Sequence, residues 1–283
     1  MWKSRTGRLV LIFAVLFLSS CALISSLERQ ILFPNPRPSS TPPVLPGGGQ
    51  SVRVETPVGQ VEAIFLPAIG AESVTTGKSG PLVIYCHGNG ELIEHQVRAF
   101  DAFRANGFAV LLAEYPGYGH SAGTPSERSI RQAIAAIYDW GIQQPGVQAD
   151  QVIGYGRSLG GGAICTLAKQ RPLSAVILES TFTSVPEVAQ THFGPVSRIL
   201  RNKFDNRSVV ADLNVPVLIL HGREDRVIPV SHGEQLHQAL PDSTLVLLDC
   251  DHNDCRTAGS LALQFLSEHF PVLADSSPTP VSQ

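Results

Sequence analysis

The sequence predicts an α/β domain, a mostly parallel β-sheet with helices on both faces. Three observations carry this. Apolar runs are short and unbroken, as in strands covered on both sides. Segments with helical periodicity lie between them. The two kinds of segment alternate regularly, which is the pattern of βα units joined into a parallel sheet. With 283 residues, 43% of them hydrophobic and 16% charged, the chain can fill one sizeable core.

The first expected strands are Ser51–Glu55 and Val61–Leu66, joined by Thr56-Pro57-Val58-Gly59-Gln60 as a hairpin. Six more apolar runs follow: Leu82–Cys86, Phe108–Ala113, Val152–Tyr155, Ala175–Leu178, Val217–Leu220 and Thr244–Leu248. A helix is expected over Ser126–Trp140, where Ile130, Ile134, Ile137 and Tyr138 recur at helical spacing and Ser126 and Ser129 can cap the first turn. Another continues from Gly160-Gly161-Gly162, whose small residues let it approach the sheet closely. A helix starting near Ser231 carries His232 and His237, which read as surface residues, and a last helical segment follows His252 and ends near His269. Sheets of this type bind ligands at the C-terminal ends of their strands, so the residues just after each strand are the candidates for chemistry.

Outside the domain, expected over residues 51–273, the ends differ in composition. Lys3, Arg5 and Arg8 precede Leu9–Leu18, which holds no charge. A basic start and a short apolar core form a secretory signal pattern. The run is shorter than the ~20 apolar residues of a membrane span. Leu18-Ser19-Ser20-Cys21 resembles the bacterial lipobox. That resemblance implies a signal over residues 1–21, lipidation at Cys21, and a body anchored in the bacterial cell envelope facing the periplasm. Ala22 after the cysteine points to the outer membrane in the same analogy. An uncleaved signal anchor is the alternative. Acyl chains hold a protein to a bilayer because each buried methylene contributes ~0.8 kcal/mol. Residues 22–50 are expected to be a tether, since residues 34–50 are dominated by Pro, Gly and Ser, and residues 274–283 a disordered tail. The net charge of −3, with no basic run after the N-terminus, argues against nucleic acid as a partner. Cys86 and Cys165 sit in apolar segments and read as inert buried thiols. Cys250 and Cys255 bracket His252, either as a disulfide or as free thiols. No Cys and His spacing suggests a metal site.

The pattern G-x-S-x-G marks a sharp strand-to-helix bend that exposes a serine. It occurs twice, as Gly119-His120-Ser121-Ala122-Gly123 and Gly156-Arg157-Ser158-Leu159-Gly160. Ser158 follows an apolar strand and leads into a helix. Ser121 follows Pro-Gly-Tyr-Gly and precedes Thr124-Pro125, a loop setting. Ser158 is therefore the candidate nucleophile. A serine hydroxyl needs a base to take its proton, and a carboxylate to orient that base. His252 is the histidine placed after a late strand and before a helix. For the acid, Asp225 is chosen from the segment after Val217–Leu220, with Glu224 as rival; Asp249 and Asp251 are merely adjacent to His252 in sequence. The oxyanion donors expected are the backbone N–H of Leu159 and that of Asn89 in His87-Gly88-Asn89-Gly90, with Gly90 as rival.

These pieces, in order, resemble the α/β-hydrolase superfamily over about Glu28 to Phe270, and within it a bud-emergence-like, serine-aminopeptidase-type group of membrane-associated hydrolases. The matching motifs are Cys86-His87-Gly88-Asn89-Gly90, Glu114-Tyr115-Pro116-Gly117-Tyr118-Gly119-His120-Ser121, Gly156-Arg157-Ser158-Leu159-Gly160-Gly161, Glu179-Ser180-Thr181-Phe182-Thr183-Ser184, His221-Gly222-Arg223-Glu224-Asp225 and Asp251-His252-Asn253-Asp254. The resemblance implies an α/β-hydrolase fold with a short lid over about residues 181–215, a triad of Ser158, Asp225 and His252, and a structural Ser121. Asp251 stands where the family usually has Gly. In the lid, Phe182, Phe193, Ile199, Leu200 and Phe204 either line an acyl pocket or, for the most part, pack the lid onto the body. The expected activity is hydrolysis of carboxylic ester or thioester bonds in small-molecule or lipid acyl substrates through an acyl-enzyme, with no cofactor. An aminopeptidase-like amide hydrolase and a catalytically silent binding module are the alternatives, the last requiring a damaged triad.

Overall fold

The computed structural model describes residues 26–36, 38–69 and 79–271. The expectations for the signal over residues 1–21, for Cys21 and for the tail over residues 274–283 lie outside the described residues. No helix among those described is long and apolar enough to cross a membrane.

Eight strands form one sheet: β1 (Gln50–Thr56), β2 (Gly59–Leu66), β3 (Gly80–Cys86), β4 (Ala109–Ala113), β5 (Val147–Arg157), β6 (Ala175–Glu179), β7 (Val217–Gly222) and β8 (Thr244–Leu248). Their order across the sheet is β1-β2-β4-β3-β5-β6-β7-β8. The two pairings made by β2 are antiparallel, and every other pairing is parallel. The turn between β1 and β2 is the expected hairpin, closed by Thr56 Oγ1–H donating to Gly59 O at 2.6 Å.

The described helices are α1 (residues 26–32), α2 (Asp101–Ala105), α3 (Glu127–Gly141), α4 (Leu159–Ala168), α5 (Val185–Phe193), α6 (Asn206–Ala211), α7 (Ser231–Ala239) and α8 (Ala258–His269). The N-cap expected at Ser126 forms, its side chain accepting the Ser129 N–H at 3.1 Å. Side chains of a strand alternate between faces. Leu82, Ile84 and Cys86 of β3 therefore enter one core with Ile134 of α3 and Ile164 of α4, while Val83 and Tyr85 enter another with Phe103 of α2 and Phe265 of α8. Both faces are covered, which is why these strands read as unbroken apolar runs.

Strand β3 pairs with β4 on one side and β5 on the other, so the chain leaves in opposite directions from this point. The loops after β3 and β5 diverge there and open a crevice at the C-terminal edge of the sheet.

The described part of residues 22–50, expected to be a tether, is held against the body at several points. Phe33 is buried, and the Glu28 carboxylate accepts the backbone N–H groups of Arg201 at 2.9 Å and Asn202 at 2.8 Å. Farther along, Arg104 Nη2–H donates to Gly47 O at 3.1 Å. A side-chain carboxylate, a backbone carbonyl and one buried aromatic ring fix this stretch to the body, features that a count of Pro, Gly and Ser cannot register.

Candidate active site

Strand β5 ends at Arg157 and α4 begins at Leu159, so Ser158 forms the bend between them. Its φ of 52° is rare for a residue with a side chain. Three hydrogen bonds hold it there: Ser158 N–H to Glu179 O at 2.8 Å, Gly161 N–H to Ser158 O at 3.0 Å, and Thr181 Oγ1–H to Ser158 O at 2.7 Å. The glycines of the motif have a steric reason. A Cβ at position 160 would lie 1.9 Å from Cys86 O, and one at position 156 would lie 2.3 Å from Gly160 O. Only Gly lets the bend close against β3.

The bend points Ser158 Oγ at His252. The Oγ–Nε2 distance is 3.1 Å, and Nδ1 of the same ring lies 2.7 Å from Asp225 Oδ2. With Nδ1–H donating to the carboxylate, Nε2 is free to accept the serine proton. All three residues are at most 7% exposed, so these contacts are shielded from water. The other carboxylate oxygen, Asp225 Oδ1, accepts the N–H groups of Val227 at 2.9 Å and Ile228 at 2.7 Å, which locks its direction. The rivals are elsewhere: Glu224 is exposed, and Asp249 is exposed and paired with Arg223 at 3.4 Å. His221 is buried at the end of β7 and donates Nε2–H to Ile228 O at 2.8 Å. Burial lowers its pKa, against the pull of Ile228 O and Asp225.

The loop carrying His252 is fastened on several sides. Cys250 and Cys255 form a disulfide with their Cα atoms 5.2 Å apart, resolving the alternative left open by the sequence. Asp254 lies beside this pair, but the sulfurs are spent on each other and offer no thiolate to a metal. Asp251 Oδ1 accepts the N–H of Arg226 at 3.0 Å and of His252 at 2.7 Å, tying the acid loop to the histidine loop. These backbone hydrogen bonds, that from Arg226 first, hold its carboxyl below the usual carboxylate range. The acid that departs from the family's glycine thus acts as a clasp.

The residue preceding the bend, Arg157, joins four segments. Its guanidinium binds Glu91, lies 3.5 Å from Glu179 at the end of β6, and donates to His252 O at 2.9 Å and Asn253 Oδ1 at 2.8 Å. Glu91 in turn accepts the N–H of Gly88 at 3.1 Å. Glu179 also accepts Tyr155 O–H at 2.5 Å, and burial raises its pKa against the pull of Tyr155 and Arg157. The sequence reading did not single out Arg157, Glu91 or Glu179. A charge inside the bend motif and an acid at the end of an apolar strand were the available signals.

The loop after β3 rests on a second buried pair. His87 Nε2 is 2.6 Å from Glu114 Oε1, and Tyr115 O–H donates to His87 O at 2.6 Å. Burial depresses the His87 pKa, but the Glu114 carboxylate outweighs it and leaves a net rise. Asn89 follows and lines, with Ser158, Leu159 and His252, a cavity of about 370 Å³. Phe182, Val185 and Val188 give that cavity an apolar side, and Glu91 and Arg157 a polar one.

Among the expected lid residues, Phe204 is buried against α4, where a Cβ at Gly162 would meet its ring at 2.7 Å. Leu200 packs on the core and Ile199 is exposed. The side chain of Phe193 lies outside the described residues. Ser121 is a loop residue whose Oγ accepts the Glu62 N–H at 3.0 Å. Cys86 and Cys165 are buried free thiols; burial pushes Cys165 up to about 12 and Cys86 higher still. His232 is not a surface residue. It is buried with Nδ1 2.8 Å from Thr183 Oγ1, because α7 turns that side toward the segment that follows β6. His237 is half-buried, 2.9 Å from Ser243 Oγ.

A sheet of this order, with a serine on a strained strand-to-helix bend and a histidine after the last strand, defines the α/β-hydrolase class. The chain belongs to the α/β-hydrolase superfamily. A family model described as serine aminopeptidase, S33, matches residues 77–210. An uncharacterized protein of Mycobacterium tuberculosis is 34% identical over 236 residues, 81% of this chain and 82% of that one. Lysophosphatidylserine lipase ABHD12 of Danio rerio is 31% identical over 187 residues, 58% of this chain and 48% of the lipase, so this chain spans about half of that protein. Among solved structures, an alpha-beta hydrolase from Vibrio vulnificus superposes with a TM-score of 0.64 at 20% identity, covering 78% of this chain and 81% of that one.

Proposed function

We propose that this protein is a serine hydrolase that cleaves carboxylic ester or thioester bonds of acyl substrates, held by a lipidated Cys21 on the periplasmic side of a bacterial envelope membrane, the outer one by the analogy drawn from Ala22. The observation that carries the reading is the unbroken hydrogen-bonded series Ser158–His252–Asp225 on a strained bend. In the first step Ser158 Oγ attacks the acyl carbonyl while His252 Nε2 takes its proton. The tetrahedral oxyanion is met by the backbone N–H groups of Leu159 and Asn89. The imidazolium, stabilised by Asp225, protonates the departing alcohol or thiol. Water, deprotonated by His252, then attacks the acyl-enzyme and releases the acid, regenerating Ser158. The apolar side of the cavity suits an acyl chain, and a lipase relative supports a lipidic substrate.

The S33 description favours a second reading, an aminopeptidase-like amide hydrolase using the same residues. A panel of p-nitrophenyl esters of increasing chain length against aminoacyl anilides separates the two. The ester reading expects a higher kcat/KM for at least one ester than for every anilide, with both activities lost in Ser158→Ala. Anilides cleaved faster than all esters would overturn it.

A further inference from the structure

We infer that the mouth of the cavity seats on a lipid bilayer, with α1 at the contact, so that acyl substrate enters from the membrane. The inference rests on the anchored-esterase reading for its substrate, and on surface geometry for its site. Six large apolar side chains are strongly exposed among the described residues; two of them, Ile31 and Val227, line this opening, and two more, Leu27 and Ile199, lie on α1 and on the segment that α1 binds.

Leu27 and Ile31 are four residues apart on α1 and share one face of it. Ile31 also lines the cavity, as does Val227 from the acid loop. Ile199 stands two residues before Arg201, whose N–H, with that of Asn202, is bound by Glu28 of the same helix. Asn89 Nδ2–H donates to Ile31 O at 3.4 Å, so α1 touches the loop expected to bind the oxyanion. Single exposed apolar residues are ordinary on a protein surface; two at one opening, with two more on that helix and on the segment it binds, mark a contact site.

The choice of a bilayer as occupant follows from the chain entering α1. Cys21, the proposed lipidation site, stands five residues before Ser26. Five extended residues span at most about 18 Å, so an anchor at Cys21 keeps α1 within reach of the headgroup layer. Apolar side chains at that depth add to the hold of the acyl chains and fix which way the body faces.

The test uses the full chain reconstituted in phosphatidylcholine vesicles. The double variant Leu27→Glu, Ile199→Glu changes two rim residues that do not line the cavity. It should lower hydrolysis of a long-chain ester embedded in the vesicles by about tenfold or more, while turnover of dissolved p-nitrophenyl acetate is unchanged. A nitroxide on Leu27→Cys should collide more with membrane-dissolved oxygen than with a water-soluble nickel chelate. Unchanged vesicle activity, an equal loss on both substrates, or a nitroxide open to the nickel chelate would each overturn the inference. So would a dimer formed without vesicles that buries position 27. If the wild type cleaves no ester at all, the esterase reading fails on its own, and the nitroxide still reports whether the rim meets lipid.

Discussion

At the scale of single residues, the site depends on which atom each group presents. Asp225 offers one oxygen to the N–H groups of Val227 and Ile228 and the other to His252. In Asp225→Asn the amide nitrogen would face Nδ1 and move the ring proton to Nε2, where it blocks acceptance from Ser158. The expected result is a fall in kcat of roughly ten-thousandfold with KM little changed, read on a p-nitrophenyl ester. A KM effect without loss of kcat would instead place Asp225 in substrate binding. Ser158 and His252 were legible in the sequence because each needs a setting that neighbouring residues spell out: an apolar strand then a Gly-rich turn for the first, a late strand then a helix for the second. His232 was misread for the opposite reason. Its burial depends on Thr183, forty-nine positions away, and a short helix with few apolar residues does not announce which side is covered.

At the scale of elements, the loops after β3, β5, β6 and β8 must be held in register with one another, and Arg157 joins them. Arg157→Met removes the contacts to Glu91, Glu179, Asn253 and the His252 carbonyl while keeping a side chain of similar length. Misplacement of the histidine loop by a fraction of an ångström should cost about tenfold to a hundredfold in kcat. Arg157→Lys should restore part of it, since a single ammonium can satisfy only some of these partners. An equal loss in KM alone would point to substrate contact rather than positioning. None of this hub could be paired from sequence, because its partners come from distant segments that only the folded sheet brings together.

The pair beneath the Asn89 loop makes a separate prediction about pH. The folded pKa of His87 lies above its unfolded value of about 6.5. Its contribution to stability is therefore complete below that value and is lost as pH rises through the folded pKa. Urea unfolding measured on both sides of that range should show stability falling with rising pH. In Glu114→Gln this component should disappear; an unchanged pH slope would contradict the assignment.

At the scale of the whole molecule, the topology explains why so few residues are enough. The switch point at β3 opens one crevice, and the loops that border it carry Asn89, Ser158, Asp225 and His252 from segments spread over more than half the chain. The alternation of apolar runs and helical segments made this sheet legible, including its initial hairpin. The path of the described residues between 26 and 49 was not legible, since Glu28, Phe33 and Gly47 are held by long-range partners in a stretch of unpromising composition. That path matters to function, because it brings Ile31 and Leu32 to the cavity.

The central claim is that the folded protein activates one serine hydroxyl through one imidazole. Treating it with a fluorophosphonate and reading its intact mass tests this most directly. The account predicts a single adduct that maps to Ser158, is strongly slowed in His252→Ala and is absent in Ser158→Ala. A wild type that gains no adduct while folded, or an adduct that persists in Ser158→Ala at Ser121 or elsewhere, would contradict it.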